Sequence, residues 1–256
     1  MNCVRVPGRI FSRIDMELLV TRPEPDASRQ ALALEAIGMG AVVEPLMRIE
    51  FSDCEPLDLD GVQALIATSR NGLRALERLP ELERARALPL IAVGPASAEK
   101  ARALGFGTVY EGPGTAEGLV EIVQAHAAPE RGAVLHLAGA SLASDLKGAL
   151  EALGFQVRQP VLYRATRNSE LSEPVEAAMR SGDIVGVVLM SPRTAKVYRA
   201  LVEEAGLMQA ASNVIHFCLS PAVAARLEGA GFDDVRICAR PREDDLLALI
   251  ARETAD

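Results

Sequence analysis

Four short motifs in the sequence place a hydroxyl residue or a glycine at the apparent start of a helix, directly after an apolar run typical of a strand. Serine, threonine and glycine favour the N-cap, and proline favours the first helical position because its missing N–H is not needed there. Backbone N–H groups at helix starts bind anions, so the set predicts a site for carboxylates. The motifs are Thr68-Ser69-Arg70-Asn71, Gly94-Pro95-Ala96-Ser97, Ser191-Pro192-Arg193 and Ser220-Pro221-Ala222.

Helix capping alone explains any single motif, because a capping side chain stabilises a helix by about 1 kcal/mol without any ligand. The set of four favours a binding site, since equivalent helix starts lie together beyond the carboxyl ends of parallel strands. We therefore expect four equivalent helix starts around the mouths of two sheets.

Three arginines and one tyrosine lie on or beside these motifs. Arg22, Arg70 and Arg193 each carry a guanidinium that can bind a carboxylate with two parallel hydrogen bonds, although a solvated surface arginine is the alternative. Tyr163 lies near a change in the chain pattern, where its phenol could donate a proton or a hydrogen bond, or simply pack. These side chains complete the candidate site.

Other chemistry finds little support in the sequence. The motifs G-x-x-x-x-G-K-[ST], G-x-G-x-x-G after the first strand and G-x-S-x-G are absent, so nucleotide binding and serine hydrolysis lack their usual residues. We assign the run Glu243-Asp244-Asp245 to the first turn of a helix, where acidic residues suit the helix dipole. It is not read as an acid–base pair.

Histidines and cysteines are scattered along the sequence, so we expect no metal site and no cofactor. His126, His136 and His216 are assigned to packing or surface roles. The four cysteines form no C-x-x-C pair and are interpreted as reduced thiols, two of them, Cys218 and Cys238, within apolar runs.

Composition narrows the class of protein. The chain has 256 residues, 49% of them hydrophobic, which is enough for two modest cores. Its net charge of −8 argues against a nucleic-acid or anionic-membrane partner. No apolar run reaches the roughly 18 residues of a membrane span, and no export signal opens the chain, so we expect a cytoplasmic protein.

The elements that position the motifs follow a strand–helix alternation typical of parallel α/β sheets. Residues 1–15 form a basic extension without periodicity, and a strand at Glu17–Thr21 and a helix from Asp26 to Ile37 follow it. This opening unit, called A, recurs at Ala133–Tyr163. Two further unit types also occur twice, so the chain reads A, B, C, A, B, C. Unit B is Leu65–Gly72 and Val188–Ala195, and unit C is Ile91–Phe106 and Phe217–Phe232.

Spacing alone leaves two arrangements of the six units open. Two tandem domains are one solution. In the other, the first A joins the second B and C, while the first B and C join the second A. The segments Pro45–Pro56 and Val161–Pro174 look irregular and rich in turns, and they are the expected crossings.

Several motifs, in one order, resemble those of the uroporphyrinogen-III synthase family. They are LLVTRP, ATSRNG, AVGPASA followed by ALGF, and the VLY that ends the second A unit. The resemblance implies an α/β fold of two flavodoxin-like domains with parallel sheets and interleaved connectivity, joined by a two-stranded linker with a wide cleft between the domains. The domains would be 16–47 plus 167–256, and 54–162, with linkers at 48–53 and 163–166.

The resemblance also implies a reaction, the cyclisation of the linear tetrapyrrole hydroxymethylbilane with inversion of ring D and release of water through a spiro intermediate. No metal or organic cofactor takes part, and Tyr163 matches the family tyrosine proposed to help the hydroxyl leave. Ser97 stands where the family often has threonine. We expect a monomer that meets hydroxymethylbilane synthase only transiently.

Three departures from the family pattern leave other functions open. The second C unit reads CLSPAVA, so a hydroxyl expected near Val223 is missing, Met190 replaces a common threonine, and Gly139-Ala140-Ser141 lacks a downstream Gly-Arg. A non-catalytic relative that binds a tetrapyrrole or another polyanion is one alternative. A two-lobed receptor of the periplasmic type is another, although it would need an export signal.

Overall fold

The computed structural model describes residues 17–52 and 56–253. Within these ranges the chain forms two compact units, the first from residues up to 48 and from 167 onward, the second from residues 49–166. The N-terminal extension predicted at 1–15, together with Cys3 and Cys54, lies outside the described residues.

Among the described residues, the sheet of the first unit has five strands, and six helices belong to the same unit. The strands are β1 Glu17–Val20, β2 Gly40–Val43, β11 Ile184–Leu189, β12 Ile215–Cys218 and β13 Val235–Ile237. The helices are α1 Asp26–Glu35, α7 Glu173–Ser181, α8 Pro192–Glu204, α9 Met208–Ser212, α10 Pro221–Ala224 and α11 Glu243–Glu253. The strands form one sheet in the order β13-β12-β11-β1-β2, and its described pairs are parallel. In chain order within the unit this is 5-4-3-1-2, the flavodoxin-like arrangement read from the far edge.

The second unit contains a sheet of the same size. Its strands are β4 Val62–Ala67, β5 Leu90–Ala92, β6 Val109–Glu111, β7 Ala133–His136 and β9 Val157–Arg158. They are parallel and lie in the order β6-β5-β4-β7-β9. The helices are α2 Arg70–Glu77, α3 Leu82–Ala85, α4 Pro95–Ala103, α5 Ala116–His126 and α6 Leu146–Glu151, with a short 3-10 turn at Pro129–Arg131.

The two sheets have the same strand order once the second is read from its own A unit, β7 and β9. That reading gives β6-β5-β4-β7-β9 the order 5-4-3-1-2, the same as the first sheet. Strand β1 of the first A unit lies beside β11 of the second B unit, whereas β7 of the second A unit lies beside β4 of the first B unit. The interleaved connectivity is therefore confirmed, and the tandem arrangement is excluded.

The two crossings contain regular strands. Met47–Phe51 forms β3 and Val161–Arg167 forms β10, and both belong to a three-stranded sheet in the order β3-β10-β8, where β8 is Ala138–Gly139. The prediction that these connectors are irregular was wrong. In β3, buried or half-buried residues alternate with exposed ones. This strand pattern covers only five residues, so the sequence did not reveal it.

Side chains from successive strand residues fill both faces of the second sheet. Leu65 and Ala67 pack in one cluster with α2 and α4, while Ala64 and Ile66 pack in another with α5 and α6. Alternation along a strand sends neighbouring side chains to opposite faces, and helices cover both faces, so the central strands are apolar throughout. Leu18, Val20 and Phe217 form the corresponding cluster of the first sheet.

Candidate functional site

The motif after β4 begins α2 with a side-chain cap. Ser69 is the N-cap residue, and its Oγ accepts a hydrogen bond from the Asn71 backbone N–H over 3.1 Å. The Asn71 side chain accepts from the Arg74 guanidinium at 2.7 Å. Thr68 and Arg70 flank the cap and are half-buried. As predicted, this segment lies at the carboxyl end of a central strand, where backbone donors of a helix start point outward.

The motif after β5 begins α4 with Pro95 in its first turn and Gly94 as the N-cap. Gly94 makes no side-chain cap, and a Cβ at this position would lie 3.3 Å from the Gly114 Cα, so the backbone there passes close to a neighbouring loop. Ser97 is 5% exposed and Ala96 is exposed. Because β5 pairs with β4, both motifs lie at the same edge of the second sheet.

The motif after β11 begins α8, the longest helix of the described residues. Ser191 caps it by accepting from the Thr194 backbone N–H over 3.1 Å, and the two hydroxyl oxygens lie 2.8 Å apart. Thr194 is 3% exposed, so the contact between the two hydroxyl groups is buried and stabilises the first turn of the helix. Arg193 lies between them in sequence and is exposed.

The motif after β12 differs from the other three. Its helix, α10, has only four residues, and Ser220, unlike Ser69 and Ser191, makes no side-chain cap. A helix this short sums few peptide dipoles, so it offers an anion little attraction. Ala222 is exposed and Val223 is buried. The expectation of four equivalent helix starts was therefore wrong, since Ser220 and Ala222 lie at a weaker one.

Arg22 follows β1 and has carboxylate partners within its own unit. Its guanidinium donates to a Glu243 oxygen at 2.9 Å and lies 3.8 Å from an Asp26 oxygen. The Arg29 guanidinium lies 3.8 Å from a Glu243 carboxylate oxygen and 3.4 Å from an Asp26 carboxylate oxygen. The Arg22 side chain is only 10% exposed, so this network, and not solvent, surrounds the predicted carboxylate-binding arginine.

Tyr163 lies in β10 beside β8, with its ring over Gly139. The two residues are paired in register, and a Cβ built on Gly139 would lie 2.7 Å from the Tyr163 Cζ. The Tyr163 carbonyl also accepts from the Ala140 N–H at 2.9 Å. Glycine at 139 is therefore what allows the half-buried phenol to occupy this position.

Among the histidines, His136 has a closer relation to the site than the sequence indicated. It is 2% exposed, its Nε2 lies 2.9 Å from the Thr68 Oγ1, and its Nδ1 lies 3.2 Å from the Gln159 Oε1. Burial lowers the pKa of His136, and the hydrogen bond to Gln159 acts in the opposite direction. A buried histidine needs polar partners, so the position of His136 in the apolar run around Leu135 was the feature of the sequence that could have indicated these contacts.

The other two histidines and Cys218 make packing contacts, His216 and Cys218 as buried side chains and His126 as an exposed one. His216 packs against Tyr198 and Phe232, and burial lowers its pKa to about 4. His126 stacks on Tyr110 with ring centroids 3.5 Å apart. Cys218 is a buried thiol whose pKa burial raises to about 12, so it is a poor nucleophile.

Metal ligation and membrane insertion find no support in the part of the chain that the structure describes. In residues 17–52 and 56–253, no group of three or more histidine, cysteine or acidic side chains is arranged to hold a metal ion. Over the same ranges, none of the helices combines the length and the apolar character that crossing a bilayer requires.

Fold and site together define a class, the proteins with two interleaved flavodoxin-like units whose helix starts line the carboxyl ends of parallel strands. The family model described as uroporphyrinogen-III synthase HemD matches residues 28–248. The chain therefore belongs to the uroporphyrinogen-III synthase family, whose members act in porphyrin biosynthesis. A comparison with curated proteins finds no match.

Solved structures of two bacterial proteins share the fold. The uroporphyrinogen-III synthetase of Helicobacter pylori is 18% identical, with 93% of this chain and 99% of that one covered and a TM-score of 0.62. A mutant uroporphyrinogen III synthase from the extremely thermophilic bacterium Thermus thermophilus is 16% identical, with 94% and 100% covered and a TM-score of 0.54.

Proposed function

We propose that this protein cyclises hydroxymethylbilane with inversion of ring D and loss of water, acting as a hydro-lyase of tetrapyrrole biosynthesis in the cytoplasm. The observation that carries the proposal is the family match over residues 28–248. The fold of the two solved synthases over nearly the whole chain supports it.

The reaction needs little chemistry from side chains. The terminal C–O bond breaks as the electron-rich pyrrole supplies an electron pair, and the hydroxyl leaves as water once it has gained a proton. The resulting cation is attacked by the substituted α-carbon of ring D, which gives the spiro intermediate. The original bond from that carbon to the methylene that links rings C and D then breaks. The released methylene cation bonds to the unsubstituted α-carbon of ring D, and loss of the proton from this carbon restores the pyrrole and leaves ring D inverted. The protein must fold the chain and favour this closure over direct closure, which is a task of positioning.

Donors for the substrate carboxylates come from the helix starts in this proposal. The backbone N–H groups after Ser69, Gly94 and Ser191 begin helices of 8, 9 and 13 residues, and Arg70 and Arg193 lie in the first turns of two of them. A protein of net charge −8 requires such local donors to hold a polycarboxylate. Asn71, Ala96 and Ser97 shape the same helix starts.

Tyr163 is the residue proposed to assist the leaving hydroxyl. Its ring lies against the Gly139 backbone, where an alanine methyl would require the ring to shift. A phenol with a fixed ring can donate its hydrogen to a departing oxygen with little loss of side-chain entropy. This assignment gives Tyr163 a role in kcat and not in KM.

A product assay tests the function. Freshly generated hydroxymethylbilane is supplied to the purified protein, the products are oxidised, and the type I and type III isomers are separated. Spontaneous closure gives type I, so a sample without protein is the control. We expect type III to predominate. If only type I forms, and a separate measurement shows that hydroxymethylbilane binds to the protein, the alternative of a non-catalytic tetrapyrrole-binding relative would be supported instead.

A further inference from the structure

A row of three polar side chains runs from the half-buried Gln159, next to the edge strand β9, through the buried His136 to the candidate site. Gln159 contacts the Nδ1 of His136 at 3.2 Å, and the Nε2 of His136 contacts the Thr68 hydroxyl at 2.9 Å. His136 is paired in register with Ile66, two residues before Thr68. His136 is buried, whereas Thr68 is half-buried at the carboxyl end of β4. The row therefore ends where a ligand would bind.

The chemistry of Gln159 sets the direction of both hydrogen bonds. Its carbonyl oxygen faces Nδ1, and an oxygen acceptor there requires a hydrogen on Nδ1. In a neutral imidazole the other nitrogen, Nε2, is then an acceptor. The Thr68 hydroxyl must consequently donate its single hydrogen to Nε2. Burial of the ring, which lowers the pKa of His136, favours this neutral form.

We propose that His136 is a positioning residue that fixes the Thr68 hydroxyl as a hydrogen-bond acceptor toward the ligand. With its hydrogen committed to Nε2, Thr68 presents only lone pairs at the sheet edge, and its oxygen takes an N–H group. Resting on the proposed function, the inference assigns Thr68 to a pyrrole N–H of the linear tetrapyrrole. The carboxylates bind instead at the backbone N–H groups of α2.

A carboxylate at Thr68 would be disfavoured for two reasons. Its oxygens would face lone pairs, and turning the hydroxyl toward it would leave the buried Nε2 of His136 without a donor. An unsatisfied buried acceptor reduces binding by about 5- to 150-fold. The same helix start thus offers an acceptor at Thr68 and backbone donors from Arg70, where α2 begins, which suits a ligand that carries both pyrrole N–H and carboxylate groups.

The hydrogen position on His136 can be measured without any substrate. The chain has three histidines, so nitrogen NMR of the full protein labelled in its histidines, compared with His126→Gln and His216→Gln, assigns the His136 signals by elimination. We expect the neutral tautomer with hydrogen on Nδ1. A ring protonated on Nε2, or on both nitrogens near pH 7, would overturn the proposal.

A double-mutant cycle tests the consequence for binding. Thr68→Val removes the acceptor and should raise KM for hydroxymethylbilane about tenfold, with a smaller change in kcat, while Thr68→Ser keeps it and should restore KM. Gln159→Leu releases the ring and should raise KM in the wild-type background but not in Thr68→Val. Additive effects, or an unchanged KM in Thr68→Val, would contradict the inference.

The outcomes separate this inference from the proposed function. If the wild-type protein forms no type III product, the function fails, and the NMR result still decides the state of His136. If type III forms but KM is the same in wild type and Thr68→Val, the function stands and the role of Thr68 and His136 is excluded.

Discussion

Arg22 and Glu243, 221 positions apart in the sequence, form a hydrogen-bonded ion pair of 2.9 Å between the end of β1 and the first turn of α11. The Arg22 side chain is 10% exposed and that of Glu243 27%. Removing one partner of such a pair leaves the other charge poorly solvated, which costs more than the pair itself contributes. The pair therefore joins the beginning and the end of the first unit.

Replacing Glu243 should destabilise the protein. We expect Glu243→Gln to lower the free energy of unfolding by about 1–3 kcal/mol, because the guanidinium loses its closest carboxylate. Urea unfolding measures the change. Asp244→Asn is the matched control, since it removes the same charge from the same helical turn at an exposed position. Equal effects of the two variants would show that only the helix dipole is involved.

The same contact leads us to expect that Arg22 acts mainly on stability. Arg22→Gln should unfold at lower urea than the wild type while KM for hydroxymethylbilane stays close to the wild-type value. A large rise in KM with unchanged stability would instead support Arg22 as a substrate-binding residue, as the sequence indicated.

The stability of the protein should decrease in acid because of His216. Burial lowers the pKa of this histidine from 6.5 to about 4, so the unfolded chain binds a proton that the folded one refuses. The contribution of neutral His216 to the free energy of unfolding, on the order of 3 kcal/mol, is fully present above pH 6.5 and is lost as the pH falls from 6.5 through 4. Urea unfolding between about pH 4 and pH 8 should show this loss, and His216→Gln should reduce it. An identical pH dependence in that variant would contradict the assignment.

Gly72 should not tolerate a methyl group. A Cβ there would lie 2.4 Å from the Leu137 carbonyl oxygen, and a backbone oxygen cannot move aside as a side chain can. The gain in helix propensity, about 1 kcal/mol, is smaller than the cost of overpacking, about 1–3 kcal/mol. Gly72→Ala should therefore lower the midpoint of thermal unfolding. Gly107→Ala, with nothing within 4 Å, is the control and should change it little.

Displacing Tyr163 should affect catalysis as removing its hydroxyl does. Tyr163→Phe should lower kcat by about 100-fold, the low end for a general acid, and Gly139→Ala should lower it as well, because the methyl group would lie 2.7 Å from the ring. The double variant should be no worse than Tyr163→Phe. Full turnover and full isomer selectivity in Tyr163→Phe would remove Tyr163 from the mechanism.

The local features of this fold could be predicted from the sequence. Capping by Ser69 and Ser191, prolines in first turns and the acidic start of α11 depend on neighbouring residues, and the structure has them where expected. The interleaved connectivity depends on which strands pair, so spacing alone left it open. It was the resemblance to a family that decided it.

The contacts of the site could not be predicted in the same way. His136 and Thr68 are 68 residues apart, and only the register of β7 against β4 brings them together. The partner of Arg22 is equally remote in sequence. The helix start at Ser220 is weak because α10 has only four residues. The residues of a first helical turn do not indicate where the helix ends, so the sequence did not reveal this.

The isomer composition of the product tests the central claim most directly. With a fixed amount of freshly formed hydroxymethylbilane, the fraction of type III should rise with the concentration of wild-type protein until type I from spontaneous closure is suppressed. A type III fraction that stays at the level of the protein-free sample at every concentration would contradict the account.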